Sequence, residues 1–156
     1  MKDDAVLIAT HRKAFRDYHI LESLEAGIML LGPEIKSIRS RHVSLEDSFA
    51  RIEDEEVFLY NMHVNPYEQG GRYNAEPMRA RKLLLHRNQI DRLNGLLTQK
   101  GFTLVPLRLY LKGGLAKLDL GVVKGRKLYE KRDLIKQREI DRELRRLTRH
   151  RQKHSP

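Results

Sequence analysis

Seven histidines, at positions 11, 19, 42, 63, 86, 150 and 154, are the first residues to test for chemistry. They are not arranged as a metal-ligand set, and no metal is expected. His63 and His86 could serve as base and acid of a metal-free nuclease. Each is more simply a polar residue at a strand or helix end. There is no P-loop, no dinucleotide-binding glycine fingerprint and no nucleophile elbow. With no cysteine there is neither a thiolate site nor a disulfide framework. Catalysis and cofactors are therefore not expected, and the chemistry on offer is charge. Against 21 acidic residues stand 31 Lys and Arg, a net +10. Residues 126–156 hold 12 basic and 5 acidic residues, +7 of that excess. A localised cationic segment neutralises phosphates and releases their counterions, so nucleic acid is the expected partner class ahead of a merely solubilising role.

The elements that must position such a segment are short. Residues 18–31, "YHILESLEAGIMLL", alternate as a strand with Tyr18, Ile20, Leu24, Ala26, Ile28 and Leu30 on one face and His19, Ser23 and Glu25 on the other. Gly27 within it suggests a bulge or sharp bend. "GPEIKSIRSR" reads as a short helix with Pro33 in its first turn and Glu34 near the positive end of its dipole. "SLEDSFARIE" and "VFLYNMHV" read as strands flanking an acidic turn over Glu53 to Glu56. Residues 65–79 form a long loop rich in Pro and Gly, of the kind that is often functional. Ile90, Leu93 and Leu97 keep helical spacing before a stop at Gly101, and Gly113-Gly114 joins two further strands as a hairpin. About six strands and two or three short helices give a small, mostly antiparallel β-barrel. Residues 1–125 are expected to form it and residues 126–156 a basic tail. No stretch is long and apolar enough to span a bilayer, and Ala5 to Ala9 is too short for a signal peptide. A soluble, cytoplasmic monomer without membrane contact is expected.

"YHILESLEAGIMLLGPEIKSIR", "RKLLLHRNQI", "GFTLVPLRLYLK" and "KGRKLYEKR", in that order and spacing, resemble the SsrA-binding protein family, also called small protein B. The resemblance runs over roughly residues 7 to 140. It implies a barrel related to the oligonucleotide-binding fold and a role in trans-translation: binding transfer-messenger RNA and delivering it to stalled ribosomes, with no catalytic step. Glu25 in "LEAG" matches the family's acidic residue associated with the tRNA-like part of that RNA, and Leu84 and His86 in "RKLLLHR" fall on positions also linked to RNA. A carboxylate near RNA can accept from base amino groups or a 2′-hydroxyl. His11, Arg12, Lys13, Arg79, Arg81 and Lys82 are candidate RNA contacts. His11 stands where the family usually has Asn, Leu111 and Gly113 replace a common Trp and Asn, and Glu130 replaces Asp.

The resemblance assigns the tail to the small-subunit decoding region, with Lys124, Gly125, Arg126, Lys127, Tyr129, Glu130, Lys131 and Arg132 matching the segment tied to that role. Only Ile140, Leu144 and Leu147 keep helical spacing there, and an isolated helix is marginal in water, so the tail is expected to fold on the ribosome. The competing readings are a general ribosome-associated RNA-binding barrel without preference for transfer-messenger RNA, and an RNA-processing enzyme.

Overall fold

A computed structural model describes residues 5–99, 101–126 and 138–148. Three strands of eleven residues carry the architecture: β2 (Tyr18–Ile28), β8 (Phe102–Lys112) and β9 (Leu115–Gly125). The remaining elements are β1 (Val6–Thr10), α1 (Arg12–Asp17), α2 (Gly32–Arg39), β3 (Val43–Ser44), β4 (Phe49–Glu53), β5 (Glu56–Tyr60), β6 (His63–Val64), a single 3-10 turn (Gly71–Tyr73) within the long loop, β7 (Arg81–Leu84) and α3 (Arg87–Leu97). β9 lies antiparallel to β8 from Phe102↔Lys124 to Lys112↔Leu115, and to β2 from Tyr18↔Gly125 to Gly27↔Lys117. The hairpin expected at Gly113-Gly114 is present. Both glycines have positive φ (58° and 78°), the conformation a two-residue turn needs to match strand twist. β4 and β5 form a second hairpin, whose turn is only Asp54 and Glu55, at φ 49° and 66°. Left-handed non-glycine residues cost roughly 1–2 kcal/mol each, so the flanking strands hold that turn rather than the reverse.

The ring closes through two short pairings. β5 pairs with β7, β7 meets β2 at Gly27↔Leu84 and Ile28↔Leu83, and β4 meets β8 at Ala50↔Leu104. The result is an antiparallel barrel in the order β8-β4-β5-β7-β2-β9, with β1 added to the outer edge of β8 and β3–β6 forming a separate two-stranded ribbon. Leu104, Leu109, Leu118, Leu120 and Val122 fill it from the long strands, Val57, Leu59 and Leu83 from β5 and β7, and Ile38 and Leu93 from α2 and α3. β1 and α1 are additions to what the sequence pattern indicates.

Two local expectations change. The register shift in β2 falls between Ile20 and Glu22, not at Gly27, which pairs regularly on both sides. Gly27 supplies room instead: a Cβ there would lie 3.2 Å from the Cβ of Leu84. α3 ends at Leu97, and Gly101, at φ 95°, opens the way into β8. Residues 138–148 are helical and exposed throughout, including Ile140, Leu144 and Leu147. Lys127, Tyr129, Glu130, Lys131 and Arg132 lie outside the described residues.

α1 rests on the outer face of β8 and β9, where Ala14, Val105, Leu107 and Val123 form a second buried cluster. Gly121 makes that contact possible, since a Cβ there would sit 2.8 Å from Leu107 Cδ1, whereas Gly125 has no heavy atom within 4 Å of such a Cβ. Gly121→Ala should therefore lower stability by about 1–3 kcal/mol in urea unfolding, as overpacking does. Gly125→Ala should leave the midpoint nearly unchanged.

Candidate nucleic-acid interface

Alternation fixes which side chains leave the barrel. Ala26, Leu118 and Leu109 point into the core, so Glu25 on β2, Asp119 on β9 and Arg108 on β8 stand side by side on the outer face. One step along, Gly27, Lys117 and Tyr110 do the same. The Tyr110 hydroxyl donates to Glu25 Oε2 at 2.5 Å, and Lys112 Nζ lies 3.5 Å from the same oxygen. The Tyr110 hydrogen bond, aided by the Lys112 and Lys117 charges, holds the Glu25 carboxyl below the usual carboxylate range. Burial and the bond to Glu25 push the Tyr110 phenol up. Glu25 is thus an ionised acceptor with Lys112 and Lys117 nearby and the Asp119 carboxylate on the neighbouring strand.

Beside this ladder Glu25, Gly27, Leu84, His86, Gln89 and Lys117 line an open depression of about 460 Å³. Leu84 and Lys82 occupy the outward positions of β7, while Arg81 and Leu83 point inward. Leu84 is 49% exposed from its outward position, and its side chain lies over Gly27. His86 precedes α3, its amide donating to Gln89 Oε1 at 2.9 Å, which sets the start of the helix and the rim of the depression. Glu25, Leu84 and His86, separated by some 60 residues in the chain, come together through the β2–β7 pairing. Lys82 Nζ lies 3.3 Å from Glu56 on the same outer surface.

Arg81 requires a correction, and Arg79 shares its anchor. Arg81 is 0% exposed: its Nε donates to Glu34 Oε2 at 2.7 Å, Nη1 to the Met62 carbonyl at 2.7 Å and Nη2 to the Pro77 carbonyl at 3.0 Å. Arg79 Nη2 donates to Glu34 Oε1 at 2.5 Å and to the Met29 carbonyl at 3.3 Å. The Arg81 guanidinium is closed off from phosphate, whereas the Arg79 side chain keeps 28% exposure; both neutralise a carboxylate that is itself only 4% exposed. Burial alone would push the Glu34 carboxyl up; the Arg79 hydrogen bonds, the Leu31 amide and Arg81 outweigh it and leave the carboxyl below its ordinary range. His11 is likewise buried. Its Nδ1 donates to the Pro106 carbonyl and its amide to the Leu107 carbonyl, both at 2.8 Å, satisfying the irregular stretch of β8 between Pro106 and Arg108. Although only 3% exposed, His11 borders the depression that Lys13 and Tyr18 also line.

Arg12 and Lys13 sit on α1, Lys13 pairing with Asp47 at 3.2 Å. Lys13 lines a different depression of about 380 Å³ with Tyr18, Phe49 and Arg51. Tyr18 and Glu25 are seven residues apart on β2, about 20 Å along the strand, so the sequence-derived contacts fall into two groups. The tail leaves at the α1 end: Gly125 pairs with Tyr18, Lys124 Nζ lies 5.1 Å from the Phe102 ring centroid, and Arg126 Nη2 donates to the Phe15 carbonyl at 3.4 Å. Sequence reasoning passed over Tyr110, Lys112, Lys117 and Gln89, and also the stacked Phe49–Tyr60 pair (5.5 Å) with Arg51 5.1 Å from the Phe49 centroid. Among the described residues no group of three His, Asp or Glu could hold a metal ion, and no helix is long and apolar enough to cross a membrane.

Fold and charge distribution first define a class, a small antiparallel barrel with a basic C-terminal extension. The chain belongs to the SmpB protein family, whose pattern it matches over residues 8–150. It is 56% identical to an SsrA-binding protein of Geobacillus kaustophilus over 152 residues, 97% of this chain and 98% of that one. It is also 56% identical to one of Caldicellulosiruptor saccharolyticus over 144 residues (92% and 91%) and 58% identical to one of Carboxydothermus hydrogenoformans over 138 residues (88% and 93%). A solved chain described as "tmRNA-SmpB: a journey to the center of the bacterial ribosome" superposes with a TM-score of 0.65 at 48% identity, covering 77% of this chain and 85% of that one.

The buried ion triad predicts a pH response. Because the folded-state pKa of Glu34 lies below the ordinary 4.5, its contribution is fully present above that value and is lost as pH falls through the depressed one. Glu34→Gln should cost about 3–5 kcal/mol near neutral pH, leaving two guanidiniums without their anion. In urea titrations the gap between wild type and variant should narrow below about pH 4.5.

Proposed function

We propose that this chain is the transfer-messenger-RNA-binding factor of trans-translation, holding the tRNA-like part of that RNA on the barrel and presenting its tail to the decoding region of a stalled ribosome. The convergence of Glu25, Leu84 and His86 on one depression carries this reading, and the names of the relatives and of the solved neighbour support it. In the depression Glu25 accepts from a base amino group or a 2′-hydroxyl, groups that RNA offers and a phosphate does not. Tyr110 fixes the carboxylate's orientation, and Lys112 and Lys117 cancel the repulsion it would exert on the backbone. Leu84 gives an apolar surface and His86 a donor or stacking ring at the rim, with Lys82 flanking them.

The second group serves the second task. Arg12 and Lys13 supply backbone contacts beside the point where the tail departs, and Lys124, Gly125, Arg126, Lys127, Tyr129, Glu130, Lys131 and Arg132 act in the decoding region. This is recognition and delivery without turnover of the RNA, it needs no cofactor, and its place is the cytoplasm where ribosomes work. A general RNA-binding barrel would not prefer transfer-messenger RNA over bulk tRNA in a gel-shift competition at moderate salt.

Glu25→Ala should weaken binding of the tRNA-like fragment roughly 10- to 100-fold, the effect of removing a charged hydrogen-bond partner, with the urea midpoint unchanged. Truncation after Lys124 should leave that affinity largely intact while abolishing peptide tagging on stalled ribosomes. Loss of affinity on truncation with tagging preserved would reverse the assignment of tasks.

A further inference from the structure

A second, smaller depression adjoins the first. Gly27, Leu30, Ile35, Leu84, Leu115 and Lys117 line about 170 Å³, and Gly27, Leu84 and Lys117 belong to both. The two are therefore lobes of one surface, polar around Glu25 and apolar around Leu115. Leu115 is 63% exposed and Leu84 49%, an arrangement with no role in the barrel core. Leu115 follows immediately on the Gly113-Gly114 turn and pairs with Lys112, so the hairpin holds it rigidly at the edge.

The shape and lining select the occupant. An amphipathic helix or a strand needs a groove with several anchor pockets spaced along it, and a cavity of this size accommodates a single flat group. Gly114 also lines the lobe and has no heavy atom within 4 Å of where a Cβ would stand, so beside the aliphatic side chains there is room for an unstacked heterocycle, which gains by withdrawing its faces from water. Lys117 stands between the lobes, where the phosphate linking two successive nucleotides would pass. We propose that the apolar lobe takes the base of an unpaired nucleotide adjacent to the one engaged by Glu25, packed against Leu84 and Leu115 with the intervening phosphate at Lys117. The inference rests on the function proposed above and adds to it a base-binding subsite.

Leu115 is exposed, so Leu115→Ser should fold normally, which the urea midpoint checks. It should bind the tRNA-like fragment of transfer-messenger RNA roughly 5- to 20-fold more weakly, as loss of a largely buried leucine contact implies. An abasic scan of the fragment's unpaired nucleotides gives the decisive readout. Wild type should lose affinity at one position to which the Leu115→Ser variant is indifferent. Because the chain contains no Trp, Leu115→Trp adds a single reporter whose fluorescence should be quenched on titration with intact fragment and not with the fragment abasic at that position. If Leu115→Ser keeps full affinity while Glu25→Ala loses it, the subsite is wrong and the proposed function stands. If the variant binds weakly but no abasic position is coupled to it, the occupant is not a base. If RNA affinity is kept and only tagging on ribosomes is lost, the lobe serves a protein partner and the inference is overturned. If neither Glu25→Ala nor Leu115→Ser alters affinity, the underlying functional reading fails with it.

Discussion

The antiparallel register of β2, β9 and β8 is the constraint on which everything else depends. Strand side chains alternate with period two, so sliding β9 by one residue against β2 would carry Asp119 and Lys117 into the core and bring Leu118 out. The two-residue Gly113-Gly114 turn fixes β8 against β9, and the long β2–β9 pairing transfers that register to Glu25. Tyr110 can then reach across to the Glu25 carboxylate, and Lys112 and Lys117 can stand close enough to compensate it. The irregularities, at Ile20/Glu22 and Pro106/Arg108, fall toward the α1 end and leave the stretch around Glu25 regular.

A second device holds the other wall. β7 is only four residues long and touches β2 at two positions, too little to locate Leu84 and His86 by itself. Glu34 makes up the difference. From the first turn of α2 it grips Arg81 at the start of β7 and Arg79 just before it, while Arg79 also reaches the Met29 carbonyl beyond the end of β2. A buried ion triad adds little net stability compared with an apolar core. What it supplies here is position, because its geometry is satisfied in one arrangement of α2, β7 and the end of β2.

Much of this was legible in the sequence, and the failures have physical causes. β2 and the β8–β9 hairpin could be read because alternation holds from Glu22 to Ile28 and two adjacent glycines mark the turn. The single face expected from Tyr18 to Ile28 is split by the shift at Ile20/Glu22, which leaves Tyr18 and Ile20 in the α1-side cluster and Leu24, Ala26 and Ile28 in the core. β1 could not be read, since "VLIAT" does not alternate and is an edge strand defined by its partner β8. α1 is six residues long and has no side-chain cap. Arg81 was misassigned because "RARKLLL" does not reveal which charged residue turns inward; the deciding partner, Glu34, lies 47 residues away. Glu34 itself looked like a helix-dipole residue. Tyr110, Lys112 and Lys117 were within reach, since the hairpin register combined with the alternation of β2 places them beside Glu25.

The two groups of candidate contacts lie at opposite ends of the same long strands, and the tail departs from the end remote from Glu25. Under the proposed function, two RNA encounters use two ends of one barrel. Amide chemical-shift mapping of the full chain titrated with the tRNA-like fragment of transfer-messenger RNA tests that assignment most directly. Perturbations are predicted at Glu25, Gly27, Leu84, His86 and Lys117, with Lys13, Tyr18 and Phe49 unmoved. Perturbations confined to Lys13, Tyr18 and Phe49, with Glu25 and Leu84 silent, would contradict it.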